Sequence, residues 1–127
     1  TGSPYICDAG IGTLSVSVNG DIYPCFMFTD QQSMLLGNVH DDDFFIKLFD
    51  NQIVHRISTF SIKSKNPKCQ ECFLYSLCNG CLGLNSFYTN DPFVLSEETC
   101  NMFRQMAEEV ILQLVYQKDR EGSGLNV

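Results

Sequence analysis

Seven cysteines carry the chemistry available to this chain: Cys7, Cys25, Cys69, Cys72, Cys78, Cys81 and Cys100. Four of them fall within the fourteen residues "KCQECFLYSLCNGC", Lys68 to Cys81. Two thiolates at Cys-x2-Cys spacing wrap a tight turn and reach one metal centre, an arrangement shared by redox enzymes, zinc sites and iron–sulfur sites. A thioredoxin-like dithiol sits between a strand and a long helix of a βαβ unit, and no such pattern surrounds Cys69 and Cys72. An odd number of cysteines suits a disulfide scaffold poorly, and 127 residues can build a core without covalent staples. Thiolate metal ligation is therefore the leading reading.

Two metal chemistries use these residues differently. A structural zinc takes four nitrogen or sulfur ligands. Cys69, Cys72, Cys78 and Cys81 can supply one such set, leaving Cys7, Cys25 and Cys100 with His40 or His55 as a fourth donor. Each histidine has a plainer role, His40 in an acidic loop and His55 on a helix face. A [4Fe–4S] cluster also takes four thiolates, and the last cysteine of a tight run can ligate a second cluster. Either Cys69, Cys72, Cys78 and Cys81 share one cluster, or Cys81 crosses to another and Cys100 completes the set. Spacing alone leaves both partitions open.

Eight Lys+Arg against fifteen Asp+Glu give a net charge of −7, which repels phosphate backbones and argues against nucleic acid as a partner. No stretch approaches the eighteen or so apolar residues of a membrane span. The triplet Asp41 to Asp43 reads as a solvated helix start, since a calcium site wants more oxygen ligands at wider spacing. The beginning, "TGSPYICDAG", has neither a basic start nor an apolar run and does not begin with Met. The expectation is a piece of a larger protein in the reducing cytoplasm.

Short elements must position the cysteines. Leu14, Val16 and Val18 alternate with serines, the period of a half-buried strand, and Asn19-Gly20 is a strong hairpin signal. A two-residue loop there sets Val16 opposite Tyr23 and Leu14 opposite Cys25, which turns Cys25 to the apolar side. Pro24 confines the second strand to an edge or ends it. A short strand is expected within Met34 to Val39, then a helix over Phe44 to Phe49 capped by Asp41 or Asp42, and another over Gln52 to Phe60. Lys63 to Pro67 reads as a polar loop, Phe73 to Cys78 as about one turn of helix, and "LGLNSFYTNDPFVL" as irregular with a turn at Asn90-Asp91-Pro92. The last helix is expected over about 97–118, with Ser96 as N-cap, Glu97 and Glu98 in its first turn, and an apolar stripe of Phe103, Met106, Val110 and Leu114. That stripe is either core or a face covered by another domain. The class is α+β, a single cysteine-rich domain over residues 1–121 with a flexible tail at 122–127.

The whole pattern resembles the SPASM domain, the C-terminal auxiliary-cluster domain of many radical S-adenosylmethionine enzymes. That signature has a first Cys, a Gly-x4-Cys, a Cys-x2-Cys-x5-Cys-x3-Cys run and a final Cys. Here twelve residues separate Cys7 from Gly20, and Gly20-x4-Cys25, Cys69-x2-Cys72-x5-Cys78 and Cys100 follow. The segment "SVNGDIYPC" is similar to the family's hairpin. One departure stands out: two residues, Asn79 and Gly80, separate Cys78 from Cys81 where the family has three.

The resemblance implies two auxiliary [4Fe–4S] clusters. Cys69, Cys72, Cys78 and Cys100 would hold the second, and Cys7, Cys25 and Cys81 the first, with one iron lacking a protein thiolate. In an isolated fragment, zinc, disulfides or empty sites can replace the clusters. S-adenosylmethionine would bind only to a barrel domain, whose Cys-x3-Cys-x2-Cys motif is absent from these residues. Hence this chain alone is expected to catalyse nothing. Its implied partners are the radical barrel of the same parent chain and a peptide or protein substrate, which it would serve by electron relay or anchoring. The alternative is a zinc-binding interaction domain without redox chemistry.

Overall fold

The structure, a computed structural model, describes residues 7–60, 62–78 and 80–124. Among these, three short strands form one antiparallel sheet in the order β1-β2-β3, and the remaining regular structure is helical, which is the expected α+β class. Strand β1 is Ser15–Val16, β2 is Asp21–Tyr23 and β3 is Gly37–Asn38.

The hairpin register differs by one residue from the expectation. Ser15 pairs with Tyr23 and Val16 with Ile22, so Val16 is not opposite Tyr23. The cause is the loop length. Gly20 takes φ +87°, its N–H donates to the Ser17 carbonyl at 2.9 Å, and the pair closes only at Ser17 and Asp21. A three-residue loop with a left-handed glycine replaces the two-residue turn, and a one-residue slip exchanges the faces of a strand. Leu14 and Val16 consequently lie 46% and 54% exposed, while Ile22 and Tyr23 are buried. Pro24 follows the last residue of β2, the central strand, and so ends it.

Tyr23 joins Ala9, Phe28, Met34, Ile57 and Leu82 in the core, against which Cys7 and Cys25 pack. Cys25 thus meets the apolar interior by leaving the strand beside Pro24, and not by facing Leu14. Helix α1, Phe44–Phe49, has the expected limits, but its N-cap residue is Asp43. Asp41 instead accepts from the Asn38 N–H at 3.1 Å, and Lys47 pairs with Asp43 at 3.1 Å. Helix α2, Gln52–Thr59, is capped by Asn51, whose side chain accepts from the N–H groups of Ile53 and Val54.

Two segments read as non-helical turn out helical. The stretch from Lys63 to Pro67 contributes to α3, Ile62–Lys65, and α4, Pro67–Gln70, and Lys63 is buried within it. Asn66 caps α4, with Pro67 at its first position, where a missing N–H costs nothing. Helix α5, Leu82–Thr89, occupies the segment expected to be irregular. Its cap is a thiol: Cys81 Sγ accepts from the Leu84 N–H at 3.4 Å. At its other end Asn90 takes φ +63°. Sulfur is not among the favoured capping atoms, which is why the pattern hid the helix.

Helix α6 runs from Glu97 to Gly124, beyond the expected 118, and residues 125–127 of the expected tail lie outside the described residues. Ser96 caps it as expected, its hydroxyl oxygen accepting from the Thr99 N–H at 3.2 Å. Buried Asn85 ties α5 to this start, donating to the Pro92 carbonyl and accepting from the Ser96 N–H. The apolar stripe is not core of this chain: Met106, Val110 and Leu114 are each more than half exposed. No helix among the described residues is long and apolar enough to cross a membrane.

Candidate cluster-binding sites

The local folding just described brings the thiols into two groups. Cys7 precedes the turn that opens the described chain, Cys25 leaves β2, and Cys81 caps α5. These three are electrostatic neighbours. The Cys7 thiol is pushed up by burial, held down by the N–H groups of Ala9 and Leu82, and raised further by the Cys81 and Cys25 sulfurs beside it. Cys25 Sγ accepts from the Met27 N–H at 3.5 Å. The Met27 thioether forms one wall, 3.7 Å from Cys81 Sγ. Gly83 makes room for it, since a Cβ there would lie 2.6 Å from that sulfur.

The second group lines one pocket, open in part to solvent, whose wall includes Cys69, Cys72, Cys78 and Cys100. Cys69 belongs to α4, Cys72 and Cys78 bracket the turn after it, and Cys100 lies in the first turns of α6. Burial pushes the Cys69 thiol up, and the Cys78 and Cys72 sulfurs push it further. Burial also raises Cys100; Arg104 opposes that, and the Cys69 and Cys78 sulfurs add to it. An exposed ion pair between Lys68 of α4 and Glu97 of α6 links the two helices that carry Cys69 and Cys100.

Gly80 separates the groups. It takes φ +65°, a conformation that favours glycine, and its N–H donates to Cys78 Sγ at 3.2 Å. The chain reverses there, leaving Cys78 in the four-thiol pocket and delivering Cys81 to Cys7 and Cys25. Asn79, the other residue of the shortened interval, lies outside the described residues. All seven cysteines are free thiols of intermediate burial. Neither His40 nor His55 is among the groups that shift Cys7, Cys69 or Cys100.

The donor set suits an anionic iron–sulfur group. Thiolates are its usual protein ligands, and backbone N–H groups aimed at sulfur stabilise its negative charge. Each group has such donors, from Ala9, Leu82, Met27 and Leu84 in one and Gly80 in the other. Burial and mutual repulsion disfavour bare thiolates here, which is the condition a bound metal's positive charge reverses. A further sign lies in the wall of the four-thiol pocket. The Thr99 hydroxyl is buried with no hydrogen-bond partner among the described residues, and Thr99 lines this pocket, so its donor is available to a group bound there. Among the described residues no three Cys, His, Asp or Glu side chains are grouped tightly enough to hold a single ion. Lys63, Thr99 and Arg104 escaped the sequence reading; Arg104, one turn beyond Cys100 on α6, was the one with a visible signal.

No curated protein matches the chain. The family model SPASM, described as an iron-sulfur cluster-binding domain, matches residues 7–73. That span is just over half of the chain and holds Cys7, Gly20, Cys25, Cys69 and Cys72. The chain belongs to the SPASM family of iron–sulfur cluster-binding domains.

Proposed function

We propose that this chain is the auxiliary-cluster domain of a radical S-adenosylmethionine enzyme, with Cys7, Cys25 and Cys81 holding one [4Fe–4S] cluster and Cys69, Cys72, Cys78 and Cys100 another. The observation that carries this reading is the separation of the seven thiols into a group of three and a group of four, each furnished with N–H donors to sulfur. Bound clusters supply one-electron storage, and an iron without a protein thiolate offers a coordination position to an outside donor. The protein's own part is to shield the clusters with the core around Tyr23, Phe28 and Leu82 and to hold their charge with backbone donors. In the parent enzyme the domain would lie beside the radical barrel, in the cytoplasm. There it would relay electrons or anchor a peptide or protein substrate by a side-chain donor to the open iron.

The test is anaerobic reconstitution followed by iron, sulfide and zinc analysis. The expected result is about eight iron atoms and about eight sulfides per chain. One or two tightly bound zinc ions without sulfide overturn the reading and leave a zinc-binding interaction domain.

A further inference from the structure

The four-thiol pocket is lined by more than its thiols. Thr99 is 2% exposed and lines the pocket, and its hydroxyl finds no hydrogen-bond partner among the described residues. A buried hydroxyl without a partner is costly, and a valine of the same shape avoids the cost. The backbone of Thr99 is already used, its N–H donating to Ser96 Oγ, so the cap of α6 does not need the side-chain oxygen. Arg104 lies about one helical turn after Cys100 and lines the same pocket. Its guanidinium lies beside the Cys72 and Cys100 sulfurs, whose negative charge holds it protonated, and its Nη1 donates to Asn101 Oδ1 at 3.4 Å. Buried Lys63 backs the pocket from α3, donating through Nζ to the Cys78 carbonyl at 2.8 Å. All three bring donors or positive charge to a pocket built of sulfur.

We propose that the Thr99 hydroxyl and the Arg104 guanidinium donate hydrogen bonds to sulfur atoms of the cluster held by Cys69, Cys72, Cys78 and Cys100, and thereby raise its reduction potential. The inference rests on the function proposed above. Reduction adds one electron, and so one negative charge, to a group that its four thiolates already make anionic. The electron comes from the dithionite of the titration, and no covalent bond is made or broken. Donors to sulfur stabilise the more negative state more strongly, so their loss moves the potential down. Thr99 and Arg104 are tuning residues, acting on a group they do not ligate.

The test is a mediated redox titration, followed by electron paramagnetic resonance, on the anaerobically reconstituted chain. Thr99→Val and Arg104→Gln are each expected to lower the reduced-to-oxidised ratio of one cluster by about threefold or more at a fixed poise, leaving the other cluster's wave in place. Arg104→Lys keeps the charge and recovers most of the loss. Arg120→Gln removes the same charge about 24 Å further along α6, well beyond a Debye length, and leaves both waves unmoved. Before reconstitution, Thr99→Val is expected to melt at or above the wild-type temperature, because it removes an unpaired buried hydroxyl. A hydroxyl with a merely structural role would lower that temperature and leave the potential alone.

Thr99→Val with full iron and sulfide but an unmoved wave overturns the proposal, as does an equal shift in Arg104→Gln and Arg120→Gln. Loss of the second cluster in Thr99→Val, with the melting temperature of the unloaded chain maintained, supports it. Wild-type protein that takes up no sulfide-bearing iron refutes the proposed function itself, and the iron and sulfide content separates that failure from an unmoved potential.

Discussion

Removing two cysteines at a time decides which thiols belong together. Cys72 and Cys100 line one pocket, with Arg104 beside both, whereas Cys81 neighbours Cys7. In Cys72→Ala/Cys100→Ala, the four-thiol group keeps Cys69 and Cys78, too few to hold a cluster, and the three-thiol group is untouched. Iron should fall from about eight to about four atoms per chain, with a matching loss of sulfide, and the remaining cluster should keep its wild-type signal. In Cys72→Ala/Cys81→Ala, both groups are damaged: the first keeps two thiols and the second keeps three. Iron should then fall to about four atoms or fewer, and because each group has lost a ligand, neither wild-type signal is retained. Alanine at 100 preserves α6, because it is the best helix former and the site is only partly buried. Colorimetric iron and sulfide, with paramagnetic resonance after reduction, read the outcome. The grouping is refuted if Cys72→Ala/Cys81→Ala retains one complete, wild-type cluster while Cys72→Ala/Cys100→Ala spoils both.

Other consequences are checked on the unloaded chain. Asn85→Ala removes a buried side chain that both donates to Pro92 and caps the entry to Ser96, and should cost about 1–3 kcal/mol in urea unfolding; a loss well under that range would mean that α5 and α6 are joined by other contacts. Cys7, Cys69 and Cys100 are raised from the ordinary value of 9.0, chiefly by burial. Above that pH the unfolded chain loses these protons first, so the folded state binds more of them. Stability should therefore fall as pH rises past 9.0, with no contribution from these groups at neutral pH. Urea titrations at a series of alkaline pH values check the sign. In the same protein, iodoacetamide should alkylate these three cysteines more slowly folded than unfolded, as peptide mapping would show.

The helices with conventional signals were legible beforehand: Phe44–Phe49 after its aspartates, Gln52–Thr59, and α6 after Ser96. Those without them were not. Helix α5 is capped by a thiol, and α3 and α4 are each a single turn held by tertiary contacts, among them the bond from buried Lys63 to Cys78. The hairpin register was missed because Asn19-Gly20 is compatible with two loop lengths, and here Gly20 closes a three-residue loop onto the Ser17 carbonyl.

By itself the sequence determined the family and the type of chemistry, because thiolate number and spacing limit which metal groups a chain can wrap. It also determined the α+β class, through one short hairpin and one long capped helix. The family resemblance implied how the seven thiols are shared out, residue spacing alone left both partitions open, and the tertiary structure sets Cys25 and Cys81 beside Cys7 and puts Cys69, Cys72, Cys78 and Cys100 around one pocket. Cys7, Cys25, Cys81 and Cys100 are far apart along the chain, and spacing carries no information about which distant segments meet. The reversal at Gly80 and the packing of α5 against α6 through Asn85 set Cys81 and Cys100 on different sides of that division. The same packing placed Thr99 and Arg104 in the four-thiol pocket, a role with no sequence signature, since a threonine or arginine on a helix is ordinary until its neighbours are known.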